Sequence, residues 1–433
     1  MTNKIIIIGA GLTGLYLGYL LKMSNIDFEI YDKSNRPGGK LKSINLFNAN
    51  LECGMDYIES NNLKIIELIN KLNIRFDVVT KKIKYIDIKA FNYDDICKKI
   101  RDNFNNYNTN ELITMNTYIF LELTLNQIEF EQFKQIIDVN LLEMNIREFM
   151  QHSFNDIYAK IQSMSIDNNI LQSIQTQIQL DHSMQTITDR LAVLVQEKLN
   201  LNHFVQEITY MPLTHTYMLM INNSYVQVDK LVLACNSSIK TIKLNIPRNI
   251  KSQISNIKSF SMIKLFILFN SDMNHIIKSN EIIYTKSILT NITICPTNSK
   301  IINLNLINNS KTKLLFNLLS SDLKTSKYIH KVKKILHKIL SNIFNQTIPT
   351  INNFAYCKWT NGYHINLNII QTNFWNHHNL ILTGEWVNSW TNTLEGACVS
   401  AIDTYHLIKN PLYFDKLRHV PDNVKSINQN IYK

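Results

Sequence analysis

A glycine-rich turn between a short apolar run and a helical stretch is the feature that most constrains this sequence. Gly9, Gly11 and Gly14 form a G-x-G-x-x-G pattern directly after the β-branched run Ile5–Ile8, and residues 15–23 follow with a helical pattern. In such a unit the first glycine allows a tight turn, the second lets a pyrophosphate approach the backbone, and the third allows close helix–strand packing. The N-terminus of the helix then presents its positive dipole end and its unpaired N–H groups to the phosphates.

An acidic residue after the next predicted strand completes this pattern. The run Phe28–Tyr31 predicts a strand, and Asp32 follows it directly, eighteen residues after Gly14. A carboxylate at this point accepts hydrogen bonds from the ribose hydroxyls of a dinucleotide. The sequence therefore predicts a Rossmann-type dinucleotide-binding unit, and the alternative is a glycine-rich βαβ corner without a ligand.

The uncharged stretch between Lys4 and Lys22 also has a membrane interpretation. It contains Gly14-x-x-x-Gly18, a pattern that occurs in membrane helix dimers. The glycine cluster interrupts the apolar block at once, however, and no small-residue cleavage site follows it. We therefore expect neither a signal peptide nor a membrane span.

Composition excludes several other classes of protein. With 45% hydrophobic and 18% charged residues, the chain has the composition of a globular protein rather than a disordered one. The net charge is +11, but the lysines are spread along the chain without arginine clusters, so we expect no nucleic-acid partner. None of the six cysteines has metal-like spacing, which predicts no metal site, no disulfide framework and a reducing, cytoplasmic location.

A second cluster of glycines and cations follows Asp32. It contains Arg36, Gly38, Gly39 and Lys40, within a chain that has only 10 glycines among 433 residues. Together with the first motif, this segment resembles the flavin-containing amine oxidase superfamily, which includes monoamine, polyamine and L-amino-acid oxidases and protoporphyrinogen oxidase. The resemblance implies FAD rather than NAD. Lys40 stands where the family usually has arginine, and so keeps the charge but loses the bidentate fork.

Later segments extend the resemblance over most of the chain. Residues 51–57 look like the family's glycine turn near the isoalloxazine ring, and residues 382–386 and 394–397 look like its closing flavin motif. Residues 182–187 are similar to the family's "GGMxxL" helix, although both glycines are missing. The resemblance places these residues against FAD: Gly9, Gly11, Leu12, Thr13, Gly14, Asp32, Lys33, Arg36, Gly38, Gly39, Lys40, Gly54, Met55, Val205, Gly384, Glu385, Leu394 and Gly396.

The resemblance also implies three residues at the reaction centre. Lys264, in an otherwise apolar strand, corresponds to the family's lysine near flavin N5, and burying a lysine is costly unless its ammonium has a partner or water. The alternative is an edge-strand lysine. Tyr363 corresponds to one aromatic wall of the substrate cage, and Thr393 stands at the opposite wall. Gly362 aligns with the cysteine that binds flavin covalently in monoamine oxidases, so we expect non-covalent FAD.

The predicted fold is α/β, with a Rossmann-like FAD-binding domain of the GR2 type and a discontinuous α+β substrate-binding domain. We assign residues 1–75, 185–245 and 370–412 to the first domain, residues 76–184 and 246–369 to the second, and residues 413–433 to a polar C-terminal tail. Residues 76–180 show amphipathic helical patterns, as at Leu141, Leu142, Ile146 and Phe149. A basic helical pattern near residue 335 predicts a helix with a solvated lysine face.

The expected function is amine oxidation. The resemblance implies hydride transfer from a C–H bond next to nitrogen to flavin N5, with reoxidation by O2 to give H2O2. The partners would be a small-molecule substrate, an amine, and O2 as acceptor; the sequence does not fix the oligomeric state. Two alternatives stay open: a C–C desaturase of the protoporphyrinogen oxidase type, and an FAD-binding protein without catalysis.

Overall fold

The fold is taken from a computed structural model of the chain. It describes residues 4–86, 92–108, 111–112, 115–134, 137, 146–150, 154, 158, 165–167, 170–235, 237–285, 291–307, 313–320, 326–365, 373–374, 378–387 and 393–410. Residues 141–142 and the predicted tail, 413–433, lie outside these ranges.

The described chain contains both helices and strands, often in runs of one type. The helices are α1 (Leu12–Met23), α2 (Leu63–Lys71), α3 (Tyr93–Phe104), α4 (Thr117–Thr124), α5 (Gln127–Phe133), α6 (Ile146–Glu148), α7 (Gln185–Leu194), α8 (Arg248–Asn256), α9 (Lys313–Ser320), α10 (Ser326–Phe344) and α11 (Leu394–Lys409). The strands are β1 (Ile5–Ile8), β2 (Phe28–Tyr31), β3 (Ser43–Leu46), β4 (Ala49–Glu52), β5 (Ile58–Glu59), β6 (Phe76–Ile86), β7 (Ser165–Asp167), β8 (Ile170–Leu180), β9 (Leu199–Asn200), β10 (Val205–Met211), β11 (Thr216–Ile221), β12 (Ser224–Val228), β13 (Lys230–Leu233), β14 (Lys243–Asn245), β15 (Lys258–Phe269), β16 (Glu281–Thr285), β17 (Asn291–Cys295), β18 (Asn298–Ile307), β19 (Ile351–Ile365), β20 (Asn373–Phe374) and β21 (Leu380–Leu382).

A six-stranded sheet carries the predicted dinucleotide unit. Its order is β20-β21-β13-β1-β2-β9, and its strands pair in parallel except for β20 with β21. The strand β1 is buried along its whole length because it is covered on both faces, which explains its uninterrupted run of isoleucines. Ile5 and Ile7 pack with α1, α2, α7 and α11. Ile6 and Ile8 pack on the opposite side against β10 and β11.

A nine-stranded sheet forms most of the remaining structure. Its order is β19-β15-β18-β17-β16-β6-β8-β5, with β7 paired to β8. The strand β5 comes from the N-terminal quarter of the chain, so the segment that ends in β5 connects the two sheets. A third sheet, β12-β11-β10-β14, packs below β1 and β13.

The helical expectation for residues 76–180 was incomplete. The segment begins with β6 and ends with β8, which pair in antiparallel fashion over ten residue pairs. Helices α3, α4 and α5 lie between these strands, as the periodicity predicts. The basic helix is also as predicted: α10 buries Val332, Leu336 and Leu340, while Lys331, Lys334 and Lys338 are exposed. The domain boundaries stay predictions.

Candidate functional site

The glycine turn after β1 combines tight packing with one open side. Gly9 has φ of +115°, and a Cβ added there would lie 2.9 Å from the backbone of Ala234. A Cβ added at Gly14 would lie 1.9 Å from the carbonyl oxygen of Gly9. At Gly11, in contrast, an added Cβ would meet nothing within 4 Å. The backbone at Gly11 therefore borders open space, as a pyrophosphate site requires.

The second glycine pair lies directly against this turn. The amide of Gly38 donates to the carbonyl of Ala10 at 2.8 Å, and Gly38 pairs with Gly11 in an isolated parallel bridge. Gly38 and Gly39 have φ values of +101° and +56°, which other residues rarely adopt. Two segments that the sequence predicts to hold phosphate are thus brought together.

Asp32 lies beside the same turn. Its carboxylate accepts hydrogen bonds from the amides of Ala10 at 2.7 Å and Ser34 at 2.8 Å, one on each oxygen. Each carboxylate oxygen has a second lone pair, so the group keeps acceptor capacity for ribose hydroxyls. Lys33, the next residue, is exposed.

Arg36 supports the glycine loop. Its guanidinium donates to the carbonyl oxygens of Pro37 at 2.8 Å, Leu41 at 3.1 Å and Gly39 at 2.6 Å. Burial lowers the pKa of this guanidinium, and the carboxylates of Asp189 and Asp32 oppose that effect. The described contacts of Arg36 therefore fix the backbone of its own loop, and contact with a phosphate stays a prediction.

Lys40 connects three of the predicted segments. Its ammonium lies 2.5 Å from the Glu385 carboxylate, in the closing motif, and donates to the carbonyl of Gly362 at 3.2 Å. Both partners of the ion pair are mostly buried. A Cβ at Gly54 would lie 1.9 Å from the carbonyl oxygen of Lys40, so the Gly54 turn packs directly on this residue.

Two helix N-termini meet at the carboxyl edge of the parallel sheet. The Thr13 hydroxyl in the first turn of α1 donates to the carbonyl of Ala397, in the first turn of α11, at 3.2 Å. Leu12 and Leu394 are buried. The hydroxyl of Thr393 caps α11 by accepting from the amide of Gly396 at 2.9 Å. The positive dipole ends of both helices favour an anionic ligand at this edge, and the assignment of Thr393 to a substrate wall stays a prediction.

Gly384 is held by close packing. Its φ is +131°, and an added Cβ would lie 2.5 Å from the indole nitrogen of Trp386, which is fully buried. Its amide donates to the hydroxyl of Ser400 at 2.8 Å, which anchors the turn on α11. The sequence predicts this glycine from the closing motif, and the structure gives the steric reason for it.

Lys264 lies in the middle of β15 and is 1% exposed. Its ammonium lies 2.6 Å from the Asp56 carboxylate and donates to the carbonyl of Gly54 at 3.2 Å. The sequence identifies Lys264 and Gly54 but not Asp56. No local signal could find Asp56, because its partner is more than two hundred residues away along the chain. The edge-strand alternative for Lys264 is wrong, since β15 pairs with β18 on one side and β19 on the other.

Two cysteines in the same region form a single bond that the cysteine spacing does not predict. Cys53 and Cys357 form a disulfide with their Cα atoms 5.5 Å apart. Cys357 lies directly opposite Lys264 in the pairing of β15 with β19, and Cys53 precedes Gly54. The pair is separated by 304 residues, so only the fold brings the two together.

Glu52, next to Cys53, holds the start of the Gly54 turn against two other parts of the chain. Its carboxylate accepts from the amide of Met184 at 3.0 Å and from the hydroxyl of Ser43 at 2.6 Å. The pKa of Glu52 is raised above its usual value by burial and by the Asp56 charge, and this outweighs the opposite effects of these hydrogen bonds and of the Lys264 charge. Residues 182–187, which lack the family's two glycines, therefore still contact Glu52 through the backbone amide of Met184.

The remaining predicted residues are placed by their backbones. Val205 is buried at the start of β10, Met55 is half-buried after the Gly54 turn, and Tyr363 lies in β19 opposite Phe260. The side chain of Tyr363 lies outside the described part of the structure. Gly362 sits at a bulge of β19, where a Cβ would lie 2.7 Å from that of Met262.

Metal and membrane features are absent from the ranges given above. No group of three or more His, Cys, Asp or Glu residues in the described part of the chain has the geometry of a metal site. No described helix is both long and apolar enough to cross a membrane.

Comparison with known proteins agrees with the N-terminal geometry. Residues 7–72 match the family described as NAD(P)-binding Rossmann-like domain. Over 82 residues the chain is 39% identical to the coproporphyrinogen III oxidase of Staphylococcus aureus (strain NCTC 8325 / PS 47). That match covers 18% of this chain and 18% of the S. aureus protein.

Two solved structures are similar over nearly the whole chain. A putrescine oxidase with bound putrescine matches with a TM-score of 0.68 and 13% identity, over 94% of this chain and 99% of that one. The chain has the fold of the flavin-containing amine oxidases. A putative protoporphyrinogen oxidase from Exiguobacterium sp. 255-15 shares this fold with a TM-score of 0.68 and 12% identity, over 94% and 99% of the two chains. The resemblance predicted from the motifs is thus confirmed, as is the fold class.

The residues present fit FAD. The open side of Gly11 would let a pyrophosphate approach the backbone. A Cβ added at Gly11 would project into that open space. Asp32 supplies acceptors for a ribose, and Glu385 of the closing motif pairs with Lys40, which follows the Gly38–Gly39 pair. The set of donors and acceptors therefore has the chemistry that a flavin dinucleotide requires.

Proposed function

We propose that this chain is an FAD-dependent oxidoreductase. The activity that we propose first is amine oxidation, with FAD held without a covalent bond. The observation that carries the proposal is the open backbone at Gly11, with Gly38, Gly39 and Asp32 arranged around it. Glycines that are sterically required at Gly9 and Gly14 surround one glycine that is not. Approach of a ligand to the backbone explains that difference.

FAD, when bound, would supply the hydride acceptor for oxidation of a C–H bond next to nitrogen, with O2 as the final acceptor and H2O2 as product. The residues of this chain would bind and orient the cofactor. The N-terminus of α1 would stabilise its phosphates, the N-terminus of α11 would face the pyrimidine edge of its flavin, and Asp32 would bind its ribose. The resemblance assigns Lys264, Tyr363 and Thr393 to the region around the reaction centre, and this assignment stays a proposal.

A second candidate function has its own support. The local match to a coproporphyrinogen III oxidase includes a higher identity than any whole-chain match described above. A porphyrinogen oxidase removes hydrogens from a macrocycle rather than from an amine. Because one fold hosts several chemistries, fold alone does not choose between these substrates.

The test is anaerobic reduction of the purified protein. We expect putrescine or another primary amine to bleach the flavin absorbance at about 450 nm, and air to restore it with release of H2O2. Bleaching by coproporphyrinogen III alone would favour the second candidate. A purified protein without flavin, which also fails to take up added FAD, would contradict both.

The proposal extends to partners and location. It assigns a small-molecule substrate, O2 as acceptor, no nucleic-acid partner and a cytoplasmic site of action. The dispersed lysines support the absence of a nucleic-acid partner, because recognition of nucleic acid requires a concentrated basic surface.

A further inference from the structure

The ion pair between Lys264 and Asp56 is strongly asymmetric in its exposure. Protein atoms alone bury the Lys264 side chain to 1% exposure, whereas Asp56 keeps 22%. A side chain at 1% has almost no surface left for a ligand. Of the two charged groups, the carboxylate is therefore the one that a ligand can reach.

The donors of Lys264 point to the segment that carries Asp56. Two of the three N–H donors of an ammonium have partners here, the Asp56 carboxylate at 2.6 Å and the Gly54 carbonyl at 3.2 Å. Both flanking residues in the strand, Ile263 and Leu265, are fully buried. A buried ammonium is costly without a counter-charge, and Asp56 provides it.

The Asp56 segment is fixed from several sides. The disulfide joins Cys53 to β19, and the indole N–H of Trp359 donates to the carbonyl of Cys53 at 2.7 Å. The amide of Cys53 donates to the carbonyl of Lys42 at 2.7 Å. The Asp56 carboxylate is thus presented from a rigid support, which favours a role in positioning a ligand.

The Asp56 segment also lies next to the predicted dinucleotide site. Its Gly54 turn packs on Lys40, which follows the Gly38–Gly39 pair, and Lys40 reaches the carbonyl of Gly362. Lys264 pairs with Asp56 on this segment and also interacts electrostatically with Glu52 at the end of β4. Removing Lys264 would remove a positive charge that acts on both carboxylates.

We propose that Asp56 is the residue that contacts the substrate, by accepting a hydrogen bond from a substrate N–H group, and that Lys264 is a positioning residue that acts through it. This proposal rests on the proposed function. An N–H donor is common to an amine and to the pyrrole rings of a porphyrinogen, so both candidate substrates satisfy the chemistry.

The experiment is a double-mutant cycle on the FAD-loaded protein with Asp56→Asn, Lys264→Met and the double variant. Putrescine and coproporphyrinogen III are the two probes, and kcat and KM are measured separately for whichever one is oxidised. FAD affinity is followed by quenching of flavin fluorescence, and folding by thermal unfolding. The conservative variants Asp56→Glu and Lys264→Arg test whether charge alone restores the effect.

We expect Asp56→Asn to raise KM by about 10–100-fold, as for loss of a charged hydrogen bond, with FAD affinity changed less than about twofold. Lys264→Met should raise KM when Asp56 is present. It should have no further effect on KM in a protein that already carries Asp56→Asn. Lys264→Arg should restore part of the loss.

Equal effects of Lys264→Met in both backgrounds would overturn the inference, because the lysine would then act independently of Asp56. An unchanged KM in Asp56→Asn would overturn it as well. If the wild-type protein takes up no FAD, the proposed function fails with it. If FAD binds but the variants do not show the expected changes in KM, the inference about Asp56 fails and the proposed function is unaffected.

Discussion

At the scale of single residues, three glycines of one motif are required for different reasons. Gly9 needs its positive φ, and Gly14 needs the space that a Cβ would take from the backbone of Gly9. Gly11 needs neither, since an added Cβ there would point into open space. The motif therefore separates a requirement of folding, at Gly9 and Gly14, from a proposed requirement of binding, at Gly11.

Gly14→Ala and Gly11→Ala form a matched pair of variants. We expect Gly14→Ala to reduce the free energy of unfolding by about 2–4 kcal/mol, because its Cβ overlaps fixed backbone. Gly11→Ala should leave stability within about 0.5 kcal/mol of wild type and weaken FAD binding about tenfold or more. Chemical denaturation and FAD titration measure the two effects, and equal FAD affinity in Gly11→Ala and wild type would contradict the assignment.

Asp403 in α11 gives a prediction about pH. Burial raises its pKa from 3.8 to about 6. Between these values the folded protein keeps a proton that the unfolded chain has released, so stability falls as pH rises through this interval. Asp403→Asn should remove this slope and raise stability at pH 7 by about 1–3 kcal/mol.

Unfolding at pH 4 and pH 7 measures the difference, with the exposed Asp181→Asn as the control. We expect the control to keep the wild-type slope. An Asp403→Asn protein with an unchanged slope would show that another group causes it.

At the scale of elements, the unit β1–α1–β2 could be predicted because its signals are local. An isoleucine run, three spaced glycines and a following acid fix strand, turn, helix and strand within 32 residues. The strands β6 and β8 could not be predicted in this way. Their apolar–polar alternation is weak, because both strands are rich in polar residues. They form strands because they pair with each other and with β16 and β5.

The cap of α11 makes a prediction at the same scale. Thr393→Ala removes the acceptor of the Gly396 amide and should cost about 1 kcal/mol of unfolding free energy. Thr393→Ser keeps the hydroxyl and should cost less than about half of that. Thermal unfolding tests the cap, and equal stability of the two variants would contradict it.

The same two variants examine the proposed substrate wall. Thr393→Ser retains the cap but removes a methyl group. A changed KM with unchanged stability in this variant would therefore support a role of Thr393 at the substrate, independent of its role in the helix.

At the scale of the whole molecule, the important contacts join residues that are far apart in the sequence. Asp56 meets Lys264, Lys40 meets Glu385, and Cys53 meets Cys357. Family motifs predicted one member of the first pair and both members of the second. The disulfide had no sequence signal, because bonded cysteines this far apart follow no spacing rule.

The Cys53–Cys357 bond closes a very long loop, so its loss should be felt by the whole fold. We expect Cys357→Ser to lower the free energy of unfolding by about 2–5 kcal/mol. Reductant should destabilise the wild type to a similar extent and leave Cys357→Ser unchanged. Titration of the denatured wild type should find four thiols without reductant and six with it.

Six thiols without reductant would contradict the bond. Since stable disulfides are uncommon in the cytosol, this count also bears on the predicted cytoplasmic location. A bond that persists in protein purified from a reducing cytoplasm would show that burial of Cys53 protects it.

The most direct test of the whole account is the visible spectrum of the purified 433-residue chain, taken before and after denaturation. The account predicts a flavin band at about 450 nm, close to one FAD per chain, and release of intact FAD into solution on unfolding. A colourless protein that also fails to bind added FAD would contradict the central claim. Flavin that stays attached to the denatured chain would contradict the non-covalent site.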